Sequence, residues 1–268
     1  MTTPMVVCGA AGRMGRTLVT LIAQNDAAAL VGAVEAGGHA ALGKDAGEVA
    51  GVGHLGVAIT EDFAAAASPD AVTLDFTSAA AALEHLRLAV ERRSPIVIGS
   101  TGFTAQQQAE MDRLAPQTRC VIAPNMSVGI AVLQQLIRAA AIALGPDFDP
   151  EIVEMHHRMK VDAPSGTALA LGKTVAQATG RDFSADAVFG REGVVGQRQR
   201  KEIGILALRG GDVVGDHTVI FAGLGERIEL THRAQSRECL ARGAIRAALW
   251  LAQQPLGRYS MSDVLGVR

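Results

Sequence analysis

Two histidines, a lysine and a Ser-Gly-Thr triplet come close together in the second half of the chain. His156 and His157 follow a predicted strand, Glu151–Met155, Lys160 comes shortly afterwards, and Ser165–Thr167 opens a predicted helix. The backbone N–H groups and hydroxyls at a helix start can bind a carboxylate, and the lysine adds a full positive charge. An imidazole can accept or deliver a proton near neutral pH. The spacing therefore predicts a site for a small anionic substrate with an acid catalyst beside it.

Structural roles for these residues stay open on the spacing alone. Adjacent residues of a strand point to opposite faces, so one of the two histidines can be structural. A zinc site is the poorer alternative, because two adjacent histidines lack a third ligand at a helpful spacing. The cysteines Cys8, Cys120 and Cys239 are far apart and odd in number. They predict neither a zinc site nor a disulfide framework, and we expect no metal.

Glycines at positions 9, 12 and 15 join the first predicted strand to the first predicted helix. Gly12 would let a diphosphate approach the backbone at the helix N-terminus, and Gly15 would let the helix pack closely on the sheet. Glu35 ends the second predicted strand, twenty residues after Gly15, where its carboxylate can accept both hydroxyls of a ribose. Ala10 stands where the strict dinucleotide pattern has its first glycine. The motif predicts a dinucleotide site, and a glycine-rich turn that only allows tight packing is the alternative.

Elements of two kinds must position these residues. Up to about residue 125, short apolar strands alternate with helices, which predicts βαβ units and a parallel sheet, with residues 36–56 as a loop or excursion. After residue 127 a helix, a strand and another helix precede an exposed loop over residues 180–200. Three strands separated only by turns then predict an antiparallel or mixed sheet in a second, α+β domain. Those three predicted strands are Ile203–Arg209, Val213–Ala222 and Arg227–His232.

The composition excludes several other classes of protein. The 268 residues carry a net charge of −2 and only 3% aromatic residues, which argues against a basic nucleic-acid surface and against a base-stacking platform. With 49% hydrophobic residues, the chain can build a sizeable core. The longest apolar stretch, Val128–Leu144, is interrupted by Gln134, Gln135 and Arg138, and the N-terminus lacks the pattern of a signal peptide. We expect a soluble cytoplasmic protein without a membrane or nucleic-acid partner.

The segment His156–Ala168, H-H-x-x-K-x-D-A-P-S-G-T-A, resembles the signature of the dihydrodipicolinate reductase family, also called the 4-hydroxy-tetrahydrodipicolinate reductase family. The resemblance covers nearly the whole chain, because further motifs occur in the family's order. These motifs are Gly9–Gly15, Asp75–Thr77, Gly99–Phe103, Ala123–Gly129, Arg191–Gly193, Arg209–His217 and Gly225–His232.

The resemblance implies a fold, an activity and an assembly. The fold would be a Rossmann-like nucleotide domain, residues 1–126 and 237–268, plus an α+β mixed-sheet domain for substrate and oligomerisation, residues 127–236. The activity would be hydride transfer from NAD(P)H to the cyclic product of dihydrodipicolinate synthase, giving tetrahydrodipicolinate on the diaminopimelate route to lysine. Whether the enzyme takes the hydroxylated or the dehydrated form of that product stays open. The assembly implied by the resemblance is a homotetramer formed through the substrate-domain sheets, here through the strands within 203–222.

The resemblance also implies roles for individual residues. His156 and Lys160 match the acid/base and proton-donor positions. Contacts with the substrate, which has two ring carboxylates, would come from His157, Gly166 and Thr167. The diphosphate would be held by Gly9, Ala10, Ala11, Gly12, Arg13 and Met14, and the adenosine ribose by Glu35. The nicotinamide side would be lined by Gly99, Ser100, Thr101, Ala123, Pro124, Asn125 and Met126.

Position 36 departs from the family pattern. Many members have an arginine directly after the ribose-binding acid, whereas Ala36 follows Glu35 here. A 2′-phosphate needs a cation at that place. We therefore predict a preference for NADH, with NADPH as the alternative cofactor.

Two rival functions share the glycine motif. One is a two-domain nicotinamide dehydrogenase that acts on an amino or keto acid, and the other is a non-enzymatic redox sensor that binds NAD(H). Neither rival accounts for Lys160 beside the helix-start anion site.

Overall fold

A computed structural model describes residues 2–267, which form two units. The first unit contains the described residues up to Val128 and from Glu238 onward, so the C-terminal segment returns to the N-terminal half. The second unit is Gly129–Arg237.

The first unit is built on a sheet of seven parallel strands in the order β12-β6-β5-β4-β1-β2-β3. The strands are β1 Thr3–Cys8, β2 Ala28–Val34, β3 Ile59–Thr60, β4 Val72–Asp75, β5 Ile96–Ile98, β6 Arg119–Ile122 and β12 Gly257–Tyr259. The central strands are buried apolar runs, as expected where helices cover both faces of a parallel sheet. The strand order reverses at β1, between β2 and β4, and such a switch point is where ligands bind in open α/β sheets. The predicted Rossmann-like fold is confirmed.

Seven helices of the first unit connect or cover these strands. They are α1 Arg13–Ala23, α2 Ala46–Ala50, α3 Phe63–Ala66, α4 Ala79–Arg92, α5 Ala105–Leu114, α9 Glu238–Leu251 and α10 Met261–Leu265, with a 3-10 turn at Ala115–Gln117. Helix α1 buries Leu18, Leu21 and Ile22 along one face. In α9, Trp250 meets Tyr259 of β12 edge-on, with ring centroids 5.0 Å apart.

The segment 36–56 is more ordered than the sequence predicts. It contains α2, whose N-terminus is capped by Asp45, and Asp45 is buried. The Asp45 carboxylate accepts hydrogen bonds from the amides of Gly47, Glu48, Leu55 and Val57. The segment is the loop or excursion that the sequence predicts, but its short helix α2 was not predicted, because one carboxylate organises it without any apolar periodicity to signal it.

The second unit contains a mixed five-stranded sheet in the order β11-β10-β7-β9-β8. The strands are β7 Asp149–His156, β8 Ala187–Val188, β9 Ile203–Arg209, β10 Gly215–Ala222 and β11 Arg227–Ala234. Strand β7 pairs parallel with β9 and antiparallel with β10, so it lies between two strands that follow each other in sequence. The predicted mixed sheet is confirmed.

Helices α6 Val128–Leu144, α7 Gly166–Thr179 and α8 Phe183–Asp186 complete the second unit, with a 3-10 turn at Gly145–Asp147. Ile137 of α6 and Leu171 of α7 pack with Ile152 and Phe221 of the sheet in one hydrophobic core. Among the described helices, Val128–Asp147 is the one long and apolar enough to cross a membrane, with a mean hydropathy of 1.7. Its buried residues belong to the core of this unit.

The stretch 180–200, expected to be an exposed loop, includes α8 and β8. Its later part is exposed but anchored, since Arg191 and Arg198 both donate to the carboxylate of Glu151. The prediction of an exposed loop holds for the later part of the segment. It was wrong for the first part, where α8 and β8 form.

Candidate active site

The alternation of strand β7 places Glu154 and His156 on one face of the sheet. Buried and half-buried residues alternate along the whole strand, and Ile152, Glu154 and His156 are all buried. Residues two apart in a strand share a face, so the two polar side chains continue the row that Ile152 begins in the core. His156 Nδ1 lies 2.5 Å from Glu154 Oε2. The predicted acid catalyst is thus paired with a buried carboxylate.

The Glu154 carboxylate connects three elements of the second unit, which are its own strand β7, β9 and the start of α7. Arg209, at the end of β9, donates to both of its oxygens, with Nη1–Oε2 and Nη2–Oε1 distances of 2.9 Å. The backbone N–H of Ser165, just before α7, donates to Oε1 at 3.0 Å. Burial by itself raises the pKa of Glu154, but the hydrogen bonds from Arg209, His156 and the Ser165 amide together lower it below its ordinary value. The carboxylate is therefore held ionised.

A second buried histidine, His217, lies opposite Glu154 in the antiparallel pairing of β10 with β7. Its Nε2 is 3.1 Å from the Ser165 hydroxyl, which also caps α7 by accepting from the Ala168 amide. The rings of His156 and His217 meet edge-on with centroids 5.2 Å apart. Burial and the neighbouring His156 lower the pKa of His217 to about 4. His217 is therefore neutral near pH 7 and cannot serve there as a cation.

Gly215 leaves space beside the second nitrogen of His156. A Cβ at this position would lie 2.9 Å from His156 Nε2. A real Cβ in that place would force the ring to move. The absence of a side chain at the start of β10 is therefore required by the position of the imidazole.

Lys160 lies in the loop that connects β7 to α7. Its Nζ donates to both oxygens of Asp162, at 2.7 and 2.9 Å. Arg209 Nη2 also donates to the backbone carbonyl of Asp162, at 2.6 Å, which ties the loop to the Glu154 pair. A Cβ at Gly166 would meet no atom within 4 Å, so the first turn of α7 has open space in front of it. His157 follows the last residue of β7, and its Nε2 is 3.3 Å from Nη2 of Arg237.

The glycine-rich turn of the first unit fits a diphosphate. Helices α2, α3, α4, α5, α7, α8 and α10 begin with a side chain that caps their amides. Helix α1 begins after Gly12, which offers no such cap, and its first turn has no acidic residue. Its amides are thus available to an anion. A Cβ at Gly15 would lie 2.0 Å from the Gly9 carbonyl oxygen, so only glycine lets the helix start this close to the turn.

Glu35, at the end of β2, lies beside that turn. Its Oε2 accepts from the Ala11 amide and its Oε1 from the Ala36 amide, both at 3.0 Å. Each carboxylate oxygen has a further lone pair with which to accept a ribose hydroxyl. Ala36 is exposed.

Asp75 fastens the two neighbouring loops at the carboxyl ends of β4 and β5. Its buried Oδ1 accepts from the Thr77 amide, the Thr77 hydroxyl and the Ser100 hydroxyl. His85 Nδ1 lies 2.5 Å from Oδ2. Ser100 is therefore buried and held in place, whereas its neighbour Thr101 is exposed.

Some of the predicted cofactor residues can offer only backbone or methyl groups. Ala10, Ala123 and Met126 are buried. A Cβ at Gly243 of α9 would lie in contact with the Met126 carbonyl, so the backbone after β6 passes directly over this helix. Pro124, in the same loop, is exposed.

One group of side chains in the described residues has the composition of a metal site. Ligand atoms of Cys8, Asp75 and His85 lie within 4.8 Å of one another. Asp75 and His85 are already hydrogen-bonded to each other, and burial, with Asp75 and Glu35 nearby, raises the pKa of the Cys8 thiol. A protonated thiol is a poor ligand, so the group fits a hydrogen-bonded core cluster better than a metal centre.

The predicted site residues form two groups, one in each unit. The cofactor group lies in turns at the carboxyl ends of β1, β2, β5 and β6, and the substrate group lies in and around the loop from β7 to α7. Sequence reasoning gave no site role to four residues that the structure places beside His156 or its partner carboxylate: Glu154, Arg209, Gly215 and His217. The pair at Glu154 had a readable signal, since E-x-H in a strand puts both side chains on one face.

Comparison with known proteins assigns the family. Residues 3–126 match the N-terminal part of dihydrodipicolinate reductase, and residues 129–265 match its C-terminal part. The chain belongs to the dihydrodipicolinate reductase family. This confirms the resemblance, and the activity of that family is an NAD(P)H-dependent reduction on the diaminopimelate route to lysine.

Relatives of known name agree with membership of the dihydrodipicolinate reductase family. The chain is 48% identical over 263 residues to the 4-hydroxy-tetrahydrodipicolinate reductase of Syntrophus aciditrophicus (strain SB), covering 98% of each chain. It is 52% identical over 264 residues to that of Anaeromyxobacter sp. (strain Fw109-5), again covering 98% of each.

Solved structures share the fold at low sequence identity. A dipicolinate-bound dihydrodipicolinate reductase from Paenisporosarcina sp. TG-14 aligns with a TM-score of 0.75 at 22% identity, covering 98% of this chain and 99% of that one. An amine dehydrogenase from Mycobacterium smegmatis aligns with a TM-score of 0.58 at 16% identity, covering 97% and 95%. The fold is therefore shared by enzymes of different substrate classes, and the substrate of this chain has to be argued from its own residues.

Proposed function

We propose that the chain reduces the cyclic dicarboxylate made by dihydrodipicolinate synthase, with His156 and Lys160 as the proton-handling residues. The observation that carries the proposal is the pairing of His156 with a buried carboxylate, next to a lysine loop and the open first turn of α7. A bound NADH supplies the hydride. Substrate binding and proton delivery would be carried out by residues of the chain itself.

The substrate group has the charges that a dicarboxylate needs. Lys160 offers an ammonium group, and the amides at the start of α7, Gly166 and Thr167, offer the positive end of a helix. His157, directly after β7, adds a further imidazole to this group. In the free protein Asp162 accepts both hydrogen bonds from Lys160. We infer that a substrate carboxylate replaces Asp162 as the partner of the lysine.

His156 would act as the general acid. Reduction of the conjugated ring leaves negative charge that must be quenched by a proton, and a protonated imidazole can deliver it from Nε2. Nδ1 stays bonded to Glu154 throughout. A positioned general acid contributes about 10²–10⁴ in rate.

The cofactor group would hold NADH through its backbone. The turn from Gly9 to Met14 would bind the diphosphate and Glu35 the adenosine ribose. The loops Gly99–Thr101 and Ala123–Met126 would lie along the nicotinamide. We also propose a cytoplasmic homotetramer formed through the sheet of the second unit, since the face of β7 and β10 away from the core carries Val153, Met155 and Ile220, which are only partly buried.

The experiment is the oxidation of NADH and of NADPH followed by absorbance, with substrate generated in place from pyruvate and aspartate semialdehyde by the preceding synthase. We expect turnover that falls by at least about 10²-fold in Lys160→Ala. The matched control is Lys201→Ala, which removes an exposed lysine of the same unit and is expected to keep full activity.

Two results would contradict the proposal. Absence of turnover in a folded chain that binds NADH would favour the redox sensor, and turnover of a simple amino acid in place of the cyclic substrate would favour the dehydrogenase alternative. Light scattering at several protein concentrations tests the homotetramer separately.

A further inference from the structure

Apart from His156, the hydrogen-bond partners of Glu154 among the described residues are all donors. Arg209 has no acceptor atom, and the Ser165 contact is made by a backbone N–H. These three donors leave the carboxylate ionised, and an ionised carboxylate only accepts. The fourth partner, Nδ1 of His156, must therefore carry a hydrogen. The hydrogen-bond partners of Glu154 thus fix the tautomer of His156.

From this arrangement we infer that Glu154 is the positioning residue for His156, holding its ring in the Nδ1–H form and leaving Nε2 as the only nitrogen that exchanges a proton with the substrate. The inference rests on the proposed function for the role of His156. The Nδ1–H form of the His156 ring follows from the hydrogen-bond geometry without that function. Gly215 supports it, because the absence of a Cβ there leaves Nε2 uncovered on that side.

The charged or titratable groups around the His156 ring come from the strands packed beside it. They are Glu154 on the same strand, Arg209 from β9 and His217 from β10. Arg209 is engaged by Glu154, and His217 is neutral near pH 7. Glu154 is therefore the partner that fixes which ring nitrogen of His156 carries the hydrogen.

The first test reads the tautomer directly in the unmodified protein. Two-bond nitrogen–proton NMR spectra distinguish a protonated from an unprotonated ring nitrogen, and the His156 signals are assigned by their loss in His156→Asn. We expect the neutral ring to carry its proton on Nδ1. A neutral ring protonated on Nε2 would overturn the inference, whether or not the chain turns over the substrate.

The second test uses Glu154→Gln, which keeps the shape and removes the charge. We expect kcat to fall about 10²-fold, within the range that a general acid supplies. The pH profile of kcat should also change, because no carboxylate then holds the hydrogen on Nδ1 of His156. Unchanged tautomer and pH profile in Glu154→Gln would reduce Glu154 to a structural role and contradict the inference.

Glu151→Gln is the matched control. Glu151 lies on the same strand and is also paired with two arginines, Arg191 and Arg198, but it contacts no histidine. Loss of a carboxylate–arginine pair lowers stability in both variants. Only Glu154→Gln should move the pH profile and the His156 signals, and an equal shift in both variants would contradict the assignment.

If the unmodified chain has no turnover while its His156 tautomer is as expected, the proposed function fails and the positioning of the ring does not.

Discussion

At position 36 the chain carries a methyl group next to the carboxylate of Glu35, which we propose binds the ribose. Ala36 is exposed and its amide donates to Glu35, so a longer side chain can extend into solvent without disturbing the turn. We predict that Ala36→Arg raises kcat/KM for NADPH at least about tenfold relative to NADH, because a guanidinium pairs with the 2′-phosphate. The initial rates with both cofactors check this. A tenfold preference of the unmodified chain for NADPH would show that the cation comes from elsewhere.

Gly215 offers a second prediction at the scale of one residue. The 2.9 Å between its absent Cβ and His156 Nε2 means that Gly215→Ala must push the imidazole off its position. We expect kcat to fall by more than tenfold, while NADH binding, which we propose uses the other unit, stays unchanged. Two other glycines are unsuitable as controls. Gly180 has a positive φ, so alanine would strain the backbone there, and Gly166 belongs to the proposed site. Thr218→Ala, at an exposed hydroxyl on the same strand, is the better control.

The start of helix α1 makes the corresponding prediction at the scale of an element. Gly15→Ala would place a methyl group against the Gly9 carbonyl and the Ala10 Cα, both of them backbone atoms that cannot turn aside. We expect a loss of about 1–3 kcal/mol in the free energy of unfolding and a large loss of NADH affinity, since the turn and the helix would separate. Gln24→Ala, at the exposed end of the same helix, should change neither quantity. Urea unfolding and NADH titration measure the two effects.

Most elements of the first unit could be predicted because each carries its own signal. Helix α1 has a repeating apolar face, and β4 and β5 are short buried runs next to capping residues. The helix α2 and the strand β12 could not be predicted in this way. The first is organised by hydrogen bonds to one buried carboxylate, and the second is a three-residue strand whose pairing with β6 joins residues far apart in sequence.

The same limit explains the second unit. Three strands separated only by turns predicted an antiparallel or mixed sheet, but they gave no sign that β7 lies between β9 and β10. This insertion brings Arg209 and His217 to opposite sides of the end of β7. Local periodicity predicts which face a side chain occupies and cannot predict which strand lies next to it. The residues around Glu154 were therefore readable only as isolated motif positions.

For the whole molecule, acid should weaken the fold in two separate ranges of pH. The pKa of His217 is lowered to about 4 by burial, below its ordinary 6.5, so the fold favours the neutral ring. Its contribution is full above pH 6.5 and is lost as the pH falls toward 4, an effect of the order of 3 kcal/mol. Asp45, whose pKa is lowered to about 2 by backbone hydrogen bonds, led by that from Leu55, contributes above pH 4 and loses its effect only at lower pH.

Urea unfolding followed by backbone circular dichroism between pH 7.5 and 4 checks the first range. We predict that His217→Gln removes most of the loss of stability between pH 6.5 and 4, because glutamine does not titrate. His39→Gln, at an exposed histidine, should leave the change in the free energy of unfolding with pH as it is in the unmodified chain. If the free energy of unfolding falls equally with pH in His217→Gln and in the unmodified chain, other groups take up the protons.

The aromatic residues divide the molecule optically. The single tryptophan and the single tyrosine of the chain, Trp250 and Tyr259, lie ring against ring in the unit that carries the glycine-rich turn. Tryptophan emission therefore reports on that unit alone, because the unit with His156 and Lys160 contains neither tryptophan nor tyrosine. A reduced nicotinamide absorbs where tryptophan emits, so quenching of Trp250 can follow cofactor binding without a label in every variant of the second unit. Emission and backbone dichroism can then be recorded on one sample, and separate unfolding midpoints would show which half of the chain unfolds first.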